Sequence, residues 1–283
     1  MLNFQKLVID KLVSELEAAY CQSYGNRSPL IGDTVVWCGY LALENIANTD
    51  ALYHDVEHTA MVTLVGQAIL QGKHLLEGGV TPRDWLHVMM ALLCHDIGFV
   101  RGICRRDNGR IVATGVGDQV IEMPPGSTDA ALAPYHVDRG KLFIQERFSQ
   151  PLFIEIDIDA VTSYIEMTRF PIPDDDFHRQ TDGYAGLVRA ADFIGQLGDP
   201  NYLRKLPALY YELEEVDKDA KIGYKNLEDM RQNYARFYWD VVSPYIQEAL
   251  HYLRVTQEGK QWIANLHSHV FDVEHHYRGH PAR

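Results

Sequence analysis

The segment Trp85-Leu86-His87-Val88-Met89-Met90-Ala91-Leu92-Leu93-Cys94-His95-Asp96-Ile97-Gly98 is apolar on nearly every side as far as Cys94. Such a run predicts a buried helix, and Gly98 is a predicted C-cap. His95 and Asp96 stand just before that glycine, where an imidazole and a carboxylate are costly unless a partner compensates them. Two interpretations are open: the pair bonds to loop backbone, or it ligates a divalent metal.

Helical periodicity continues on both sides of this segment. Besides 86–94, helices are predicted over residues 2–20, 34–46, 52–70, 134–148, 159–168, 202–216, 227–253 and 258–270, with another that begins at 181–182. The exception is Asp107-Asn108-Gly109, a hairpin turn signal between residues 103–105 and 110–112. The sequence therefore predicts an all-α fold with a small β-hairpin after the His-Asp helix. Residues 101–125, which contain this hairpin, are called the excursion.

Composition narrows the class of protein. The 283 residues carry a formal net charge of −13, which argues against binding to nucleic acid or to an anionic membrane surface. We find no membrane-length apolar run and no signal-peptide core. The four cysteines form no CxxC pair, which favours a reducing, cytoplasmic location.

Further polar residues occur on apolar helices. His54 and His58 are four residues apart, so they are expected on one face of the third helix, either as ligands or as one packed and one exposed histidine. Asp192 lies within an apolar helix face and needs a partner, either Arg189 or a metal. His136 opens the helix after the excursion and is a further candidate ligand.

Other polar groups are less specific. The basic residues of the excursion could attract an anionic substrate or form a solvated surface; they are Arg101, Arg105 and Arg106. Histidines near the C-terminus have no ligand spacing and predict a surface tail; they are His267, His269, His275, His276 and His280.

Taken in order, the pieces resemble the HD-domain metal-dependent phosphohydrolases, and most closely the catalytic domain of class I cyclic-nucleotide phosphodiesterases. The resemblance is carried by four motifs, Tyr53-His54-Asp55-Val56-Glu57-His58, His95-Asp96-Ile97-Gly98-Phe99, Tyr135-His136-Val137-Asp138-Arg139-Gly140 and Ala191-Asp192-Phe193-Ile194-Gly195. It implies a single HD-type helical domain over 1–283, with a core at 49–200, N-terminal helices at 1–48, a helical extension at 201–270 and a tail at 271–283.

The resemblance also implies roles for these residues. The first metal (Fe, Mn, Zn, Co or Ni) would be held by His58, His95, Asp96 and Asp192. Asp96 would bridge to a second metal (Mg or Mn), with His136 beside it directly or through water. A hydroxide bridging the two metals would attack phosphorus, and His54 would be the general acid.

The motifs depart from the phosphodiesterase pattern at the base-binding clamp. Phe237 falls at the position of the family's phenylalanine, but Tyr234 stands where its glutamine would be, and a tyrosine lacks the paired donor and acceptor of an amide. Asp55 also replaces an asparagine of the first motif. Tyr53, Arg169, Tyr234 and Phe237 are the candidate substrate contacts.

The predicted function is metal-dependent hydrolysis of a small phosphoester, with a nucleotide or cyclic nucleotide as the expected substrate. The alternatives are a phosphomonoesterase or nucleoside-triphosphate hydrolase at the same site, or a sensor that binds metal or nucleotide without turnover.

Overall fold

A computed structural model describes residues 3–150, 155–216 and 223–278. It is an all-α fold with one small antiparallel hairpin, which confirms the predicted fold class. The long helices are α1 Phe4–Tyr24, α2 Pro29–Ile46, α3 Val56–Glu77, α4 Pro82–Cys94, α5 His136–Phe148, α6 Ile158–Glu166, α7 Gly183–Leu197, α8 Tyr202–Val216, α11 Ser243–Leu253 and α12 Gln257–Arg278. Short α9 Leu227–Gln232 and α10 Tyr234–Phe237 lie between α8 and α11.

Helix α3 packs along α7, and both contact α4 and α11. Gly195 on α7 allows α3 and α7 to pack closely, because a Cβ at this position would lie 2.6 Å from the Val62 Cα. Helix α4 is the buried helix predicted from its apolar run, and every residue from Trp85 to Cys94 is buried. Its start is fixed by a capping box between Thr81 and Asp84, with Pro82 in the first turn. These contacts bring the start of α3 and the end of α4 close to the middle of α7.

The end of α4 differs from the prediction. The C-cap is His95 rather than Gly98, and a short 3₁₀ turn, Ile97–Phe99, follows Asp96. The helix therefore stops before the His-Asp pair, and both side chains project from a tight buried turn.

The hairpin is present, but its turn is elsewhere. Strand β1 Ile111–Ala113 pairs antiparallel with β2 Val120–Glu122, and residues 114–119 connect them. The predicted turn at Asp107-Asn108-Gly109 instead precedes β1. Gly115 and Gly117 have positive φ and provide the reversal. The carboxylate of Asp107 accepts backbone hydrogen bonds from Gly102 and Ala113, so the Asp-Asn-Gly signal marks a different loop.

Two predictions for the C-terminal third were wrong. The helix expected over 227–253 is broken into α9, α10, a π-helical segment Tyr238–Val242 and α11. Pro244, in the first turn of α11, lacks the N–H that an uninterrupted α-helix would need there. The predicted tail is largely helical, since α12 extends to Arg278, and the His269 ring is buried with Nε2 2.9 Å from the Asp199 carbonyl oxygen. His280 lies outside the described residues.

Within the described ranges, no helix combines the length and apolarity that a membrane crossing requires.

Candidate metal centre

The start of α3 separates His54 from His58. The Asp55 carboxylate accepts hydrogen bonds from the backbone N–H groups of Glu57 at 2.9 Å and of His58 at 3.0 Å, and it thereby becomes the N-cap. His58 is in the first turn, whereas His54 precedes the helix. The expectation that both lie on one helical face was therefore wrong, although their ring centroids are still 5.4 Å apart.

Four side chains from α3, the end of α4 and α7 converge on one buried point. His58 Nε2 lies 3.3 Å from His95 Nε2, and Asp96 Oδ2 lies 3.2 Å and 2.9 Å from these two nitrogens. Asp192 Oδ1 is 3.6 Å from each nitrogen. Metals bound at about 2.0–2.2 Å hold neighbouring ligand atoms about 2.9–3.6 Å apart. These five distances, from 2.9 to 3.6 Å, match the spacing of ligand atoms in a coordination shell.

The hydrogen bonds around this point fit a cation. His95 Nδ1 lies 2.7 Å from the Leu92 carbonyl oxygen, which assigns its proton to Nδ1 and leaves Nε2 as a lone pair. In the neutral ring this lone pair faces the Asp96 carboxylate at 2.9 Å, and the two acceptors require a proton or a cation between them. Asp96 Oδ2 is buried and has no hydrogen-bond partner of good geometry within the described part of the chain. A divalent metal would satisfy both groups, and two imidazoles with two carboxylates are a normal ligand set for one.

Electrostatics point the same way. Burial alone would lower the pKa of His95, but Asp96 and then Asp192 override it and raise that pKa to about 9. Burial raises the pKa of Asp192, while the pKa of Asp96 is held well below its usual range, against burial, by the imidazoles of His95 and His54. Without a cation the cluster therefore keeps a proton, and a metal would displace it.

Arg189, the other partner considered for Asp192, is used elsewhere. Its guanidinium is buried, donates to the carbonyls of His178 and Gln180, and lies 4.2 Å from the ring centroid of Tyr245. It holds the loop before α7 and leaves Asp192 to the cluster.

A second charged pair adjoins the cluster. His54 Nδ1 lies 2.5 Å from Glu212 Oε2 on α8, and Glu212 Oε1 accepts from the backbone N–H of Tyr53 at 2.6 Å. Burial would lower the pKa of His54, but Glu212 and then Asp96 raise it to about 9. The sequence analysis missed Glu212. Its signal was a carboxylate on the apolar side of α8, three residues after buried Leu209, which is the same signal that drew attention to Asp192.

His136 approaches the cluster from α5. Its Nδ1 lies 2.6 Å from the Ala133 carbonyl oxygen, and its Nε2 lies 3.8 Å from Asp96 Oδ1. Burial lowers the pKa of His136 to about 4, so the ring is neutral at pH 7 and Nε2 is a free acceptor. Asp96 consequently directs one oxygen to His58 and His95 and the other to His136.

A family model described as Npun_R2479-like matches residues 2–276, nearly the whole chain. The chain belongs to this family. No curated protein matches the sequence. The family description names no activity, so the chemistry of this Npun_R2479-like protein is argued from the arrangement of its own residues.

Two of the predicted substrate contacts are buried aromatic rings. Tyr53 packs against the rings of both His54 and His58, each at a centroid distance of 5.2 Å. Tyr234 is one ring further away, with its centroid 5.6 Å from that of Tyr202, which in turn contacts Tyr53. Tyr53 and Tyr234 are each 3% exposed, so in this Npun_R2479-like structure they support the histidines from behind.

The other two predicted contacts lie nearer the surface. Phe237 meets the half-exposed ring of Phe170 edge-on, at a centroid distance of 6.0 Å. Arg169 is bound to the carboxylates of Glu166 and Asp138. Its positive charge is therefore already balanced within the protein.

The basic residues of the excursion are engaged in the same way. Arg101 is paired with Asp50 and Asp129, Arg105 donates to the Glu146 carbonyl oxygen at 2.7 Å, and Arg106 is paired with Asp118. Of the two interpretations of these arginines, the structure favours a surface network over an anion-attracting rim.

Gly98 sets how closely α5 approaches the turn after Asp96. A Cβ at this position would lie 1.9 Å from the His136 carbonyl oxygen, a clash with backbone that no rotamer relieves. We expect Gly98→Ala to push His136 away from Asp96 and to lower the free energy of unfolding by about 1–3 kcal/mol or more. Denaturant titration together with metal content measures both effects. The control is Gly32→Ala on α2, where the nearest atoms belong to the Tyr20 side chain; equal losses in both variants would contradict the assignment.

Proposed function

We propose that this chain is a metal-dependent phosphoester hydrolase of the HD-domain type. The observation that carries the proposal is the convergence of His58, His95, Asp96 and Asp192 on one buried point, with the His54–Glu212 pair beside it. The motif order of the HD-domain phosphohydrolases supports this proposal. A helical protein that used these residues only for packing would have to bury two imidazoles and two carboxylates together and hold a proton among them.

The proposal gives each metal a defined set of ligand atoms. His58, His95, Asp96 and Asp192 would hold the first cation, and Asp96 Oδ1 with His136 Nε2 would face a second. When bound, such cations polarise a phosphoryl group and lower the pKa of bound water. The exposed fractions of the side chains identify the open side: His54 is 20% exposed and Asp192 is 19%, against 1% for His95.

His54 is the proposed proton donor. Its Nδ1–H is held by Glu212, so the Nδ1 edge of the ring is fixed and a proton on Nε2 remains for a leaving alkoxide. The buried carboxylate keeps the imidazolium stable at neutral pH without itself becoming protonated, since the pKa of Glu212 is lowered, against burial, by His54.

Charge at the site indicates which phosphoester fits best. Of the candidate arginines, Arg101, Arg106 and Arg169 are paired with acids, and Arg105 donates to a backbone carbonyl oxygen, so these four offer little charge that is free to bind a polyphosphate. The protein as a whole carries a net charge of −13. A singly charged phosphodiester therefore fits better than a triphosphate, and a cyclic nucleotide belongs to that class.

The direct test is hydrolysis by the purified chain with manganese, zinc, iron or magnesium added. A diester such as bis(p-nitrophenyl) phosphate and cyclic nucleotides are compared with p-nitrophenyl phosphate and nucleoside triphosphates. We expect metal-dependent product release to be faster from the diesters than from the monoester or the triphosphates. Equal rates in metal-free protein would refute the proposal, preference for monoesters or triphosphates would favour the alternative enzyme, and binding without product would favour a sensor.

His54→Gln should show whether His54 is a proton donor or a metal ligand. We expect the variant to keep its metal content and to lose about 10²–10⁴-fold in kcat, the usual worth of a positioned general acid. A diester with a p-nitrophenolate leaving group, which needs no proton, should lose much less than an alkyl diester. Loss of the metal in His54→Gln would make His54 a ligand instead.

Glu212→Gln tests the partner of that donor. Glutamine keeps the backbone contacts of Glu212 but removes its charge, so the imidazolium of His54 loses its main stabilisation. We expect kcat to fall by about tenfold or more with metal content unchanged. Glu215→Gln, one turn further along α8 and bonded to Thr128, is the matched control and should leave kcat unchanged.

A further inference from the structure

Phe99 lies between the two histidines that border the proposed site. Its ring is stacked on His54 at a centroid distance of 4.5 Å with an interplanar angle of 12°, and on His136 at 4.5 Å and 20°. Phe99 is 1% exposed, so water does not reach the middle ring of this three-ring stack. The two imidazoles come from different segments, one before α3 and the other at the start of α5.

The backbone around Phe99 is held on both sides. Arg139 donates from Nε to the Gly98 carbonyl oxygen at 2.6 Å and from Nη2 to the Val100 carbonyl oxygen at 2.9 Å. The amide N–H of Phe99 itself donates to the Asp96 carbonyl oxygen at 3.0 Å. The position of the Phe99 ring is therefore linked to Asp96, whose two carboxylate oxygens face the two candidate metal positions.

The remaining contacts of the two imidazoles fix their edges. Glu212 holds the Nδ1 edge of His54, and the Ala133 carbonyl oxygen holds the Nδ1 edge of His136. These bonds fix one edge of each ring but not its tilt, and Tyr53 meets the His54 ring edge-on at an interplanar angle of 82°. The faces of Phe99 restrict the tilt of both rings, because parallel stacking is lost when either ring rotates.

We propose that Phe99 is a positioning residue, a spacer whose two faces set the orientation and separation of the His54 and His136 rings. The chemical consequence rests on the proposed function: the proton donor and the acceptor beside Asp96 would be kept apart and parallel. An aliphatic side chain of similar volume fills the space but offers no flat face to either imidazole.

The first readout does not depend on activity. In full-length protein with labelled histidines, as purified and with zinc added, the ring-current field of Phe99 should move the imidazole proton resonances of His54 and His136 upfield. Phe99→Leu should abolish these displacements, and Phe99→Tyr should retain them. His87, whose Nε2 lies 3.0 Å from the backbone nitrogen of Asp157 and 3.1 Å from the Glu155 carbonyl oxygen, is the internal reference. Unchanged resonances in Phe99→Leu would overturn the proposal.

The second readout is kinetic and uses a matched core variant. Phe99→Leu should keep its metal content and lower kcat by at least about tenfold through misorientation of His54. Phe143→Leu makes the same chemical change at a fully buried position on α5 and should lose stability without that loss of kcat. Equal kinetic losses in the two variants would overturn the positioning role. If the wild-type chain hydrolyses no phosphoester, the proposed function fails, while the resonances still decide whether Phe99 orients the rings.

Discussion

Asp96→Asn is expected to leave the protein without its metal and with the hydrolysis rate of the metal-free chain. The carboxylate of Asp96 has one oxygen among the nitrogens of His58 and His95 and the other facing His136. Asparagine preserves the shape of the side chain but offers one neutral oxygen and a donor in place of two charged acceptors. We expect metal affinity to fall by at least about a hundredfold, more than an outer-shell substitution costs.

Thermal unfolding with and without a chelator gives the sharpest measurement. A metal present at a hundredfold excess over its Kd stabilises the native state by about 2.7 kcal/mol, so the wild-type Tm should fall when the metal is removed. The Tm of Asp96→Asn should not respond to the chelator. Its metal-free form need not be less stable than metal-free wild type, because the substitution also removes a buried charge.

Asp129→Asn is the control for that experiment. Asp129 is also buried and charged, but its partner is Arg101 at the surface. We expect this variant to lose some stability and to keep both its metal and its response to the chelator. Retention of the metal by Asp96→Asn would show that the cluster is held together by protons and hydrogen bonds alone.

The sequence predicted the helices and the ligands better than their surroundings. The apolar periodicity of α4 and the polar pair that follows it are both local signals, and the structure brings His58, His95, Asp96 and Asp192 together as the motif order implies. The start of α3 was misplaced because Asn48-Thr49-Asp50 also contains residues that commonly cap helices. The structure uses Asp55 instead, whose carboxylate accepts from the free N–H groups of the first turn.

What sequence reasoning missed depends on contacts between distant segments. Glu212 meets His54 across 158 positions of sequence, and only the packing of α8 shows that its carboxylate is buried there. Asp107 belongs to an Asp-Asn-Gly signal that would suit a hairpin turn, yet its side chain serves a buried arginine instead. A carboxylate on an apolar face was the one signal available in the sequence, and it identifies a need for a partner without identifying the partner.

That arginine, Arg139, gives the largest expected effect on stability. It is fully buried and donates to the carbonyl oxygens of Gly98, Val100 and Ala113 and to both oxygens of Asp107. It therefore connects the segment between Asp96 and β1 to helix α5. Arg139→Met should leave three buried carbonyls without this donor and the buried Asp107 carboxylate without its counter-ion, although backbone N–H groups still donate to that carboxylate. Breaking such a pair costs about 3–5 kcal/mol.

A loss of that size is a large fraction of the 5–15 kcal/mol that typically stabilises a folded domain, so the denaturation midpoint should move markedly. Arg106→Met is the matched control: Arg106 is in the same excursion, but its partner Asp118 is 88% exposed, and we expect little change. Equal midpoints for the two variants would contradict the anchoring role of Arg139.

The pair Arg139 and Asp107 allows a stricter test than either substitution alone. Asp107→Leu should also be strongly destabilising, since Arg139 would then be a buried charge without its counter-ion. The double variant, with Arg139→Met and Asp107→Leu together, removes both charges and should lose less than the sum of the single losses. The segment between Asp96 and β1 contains Phe99 and contacts α5 at His136. The single variants should therefore also weaken metal binding at the proposed second position, while His58 and His95 keep the proposed first one.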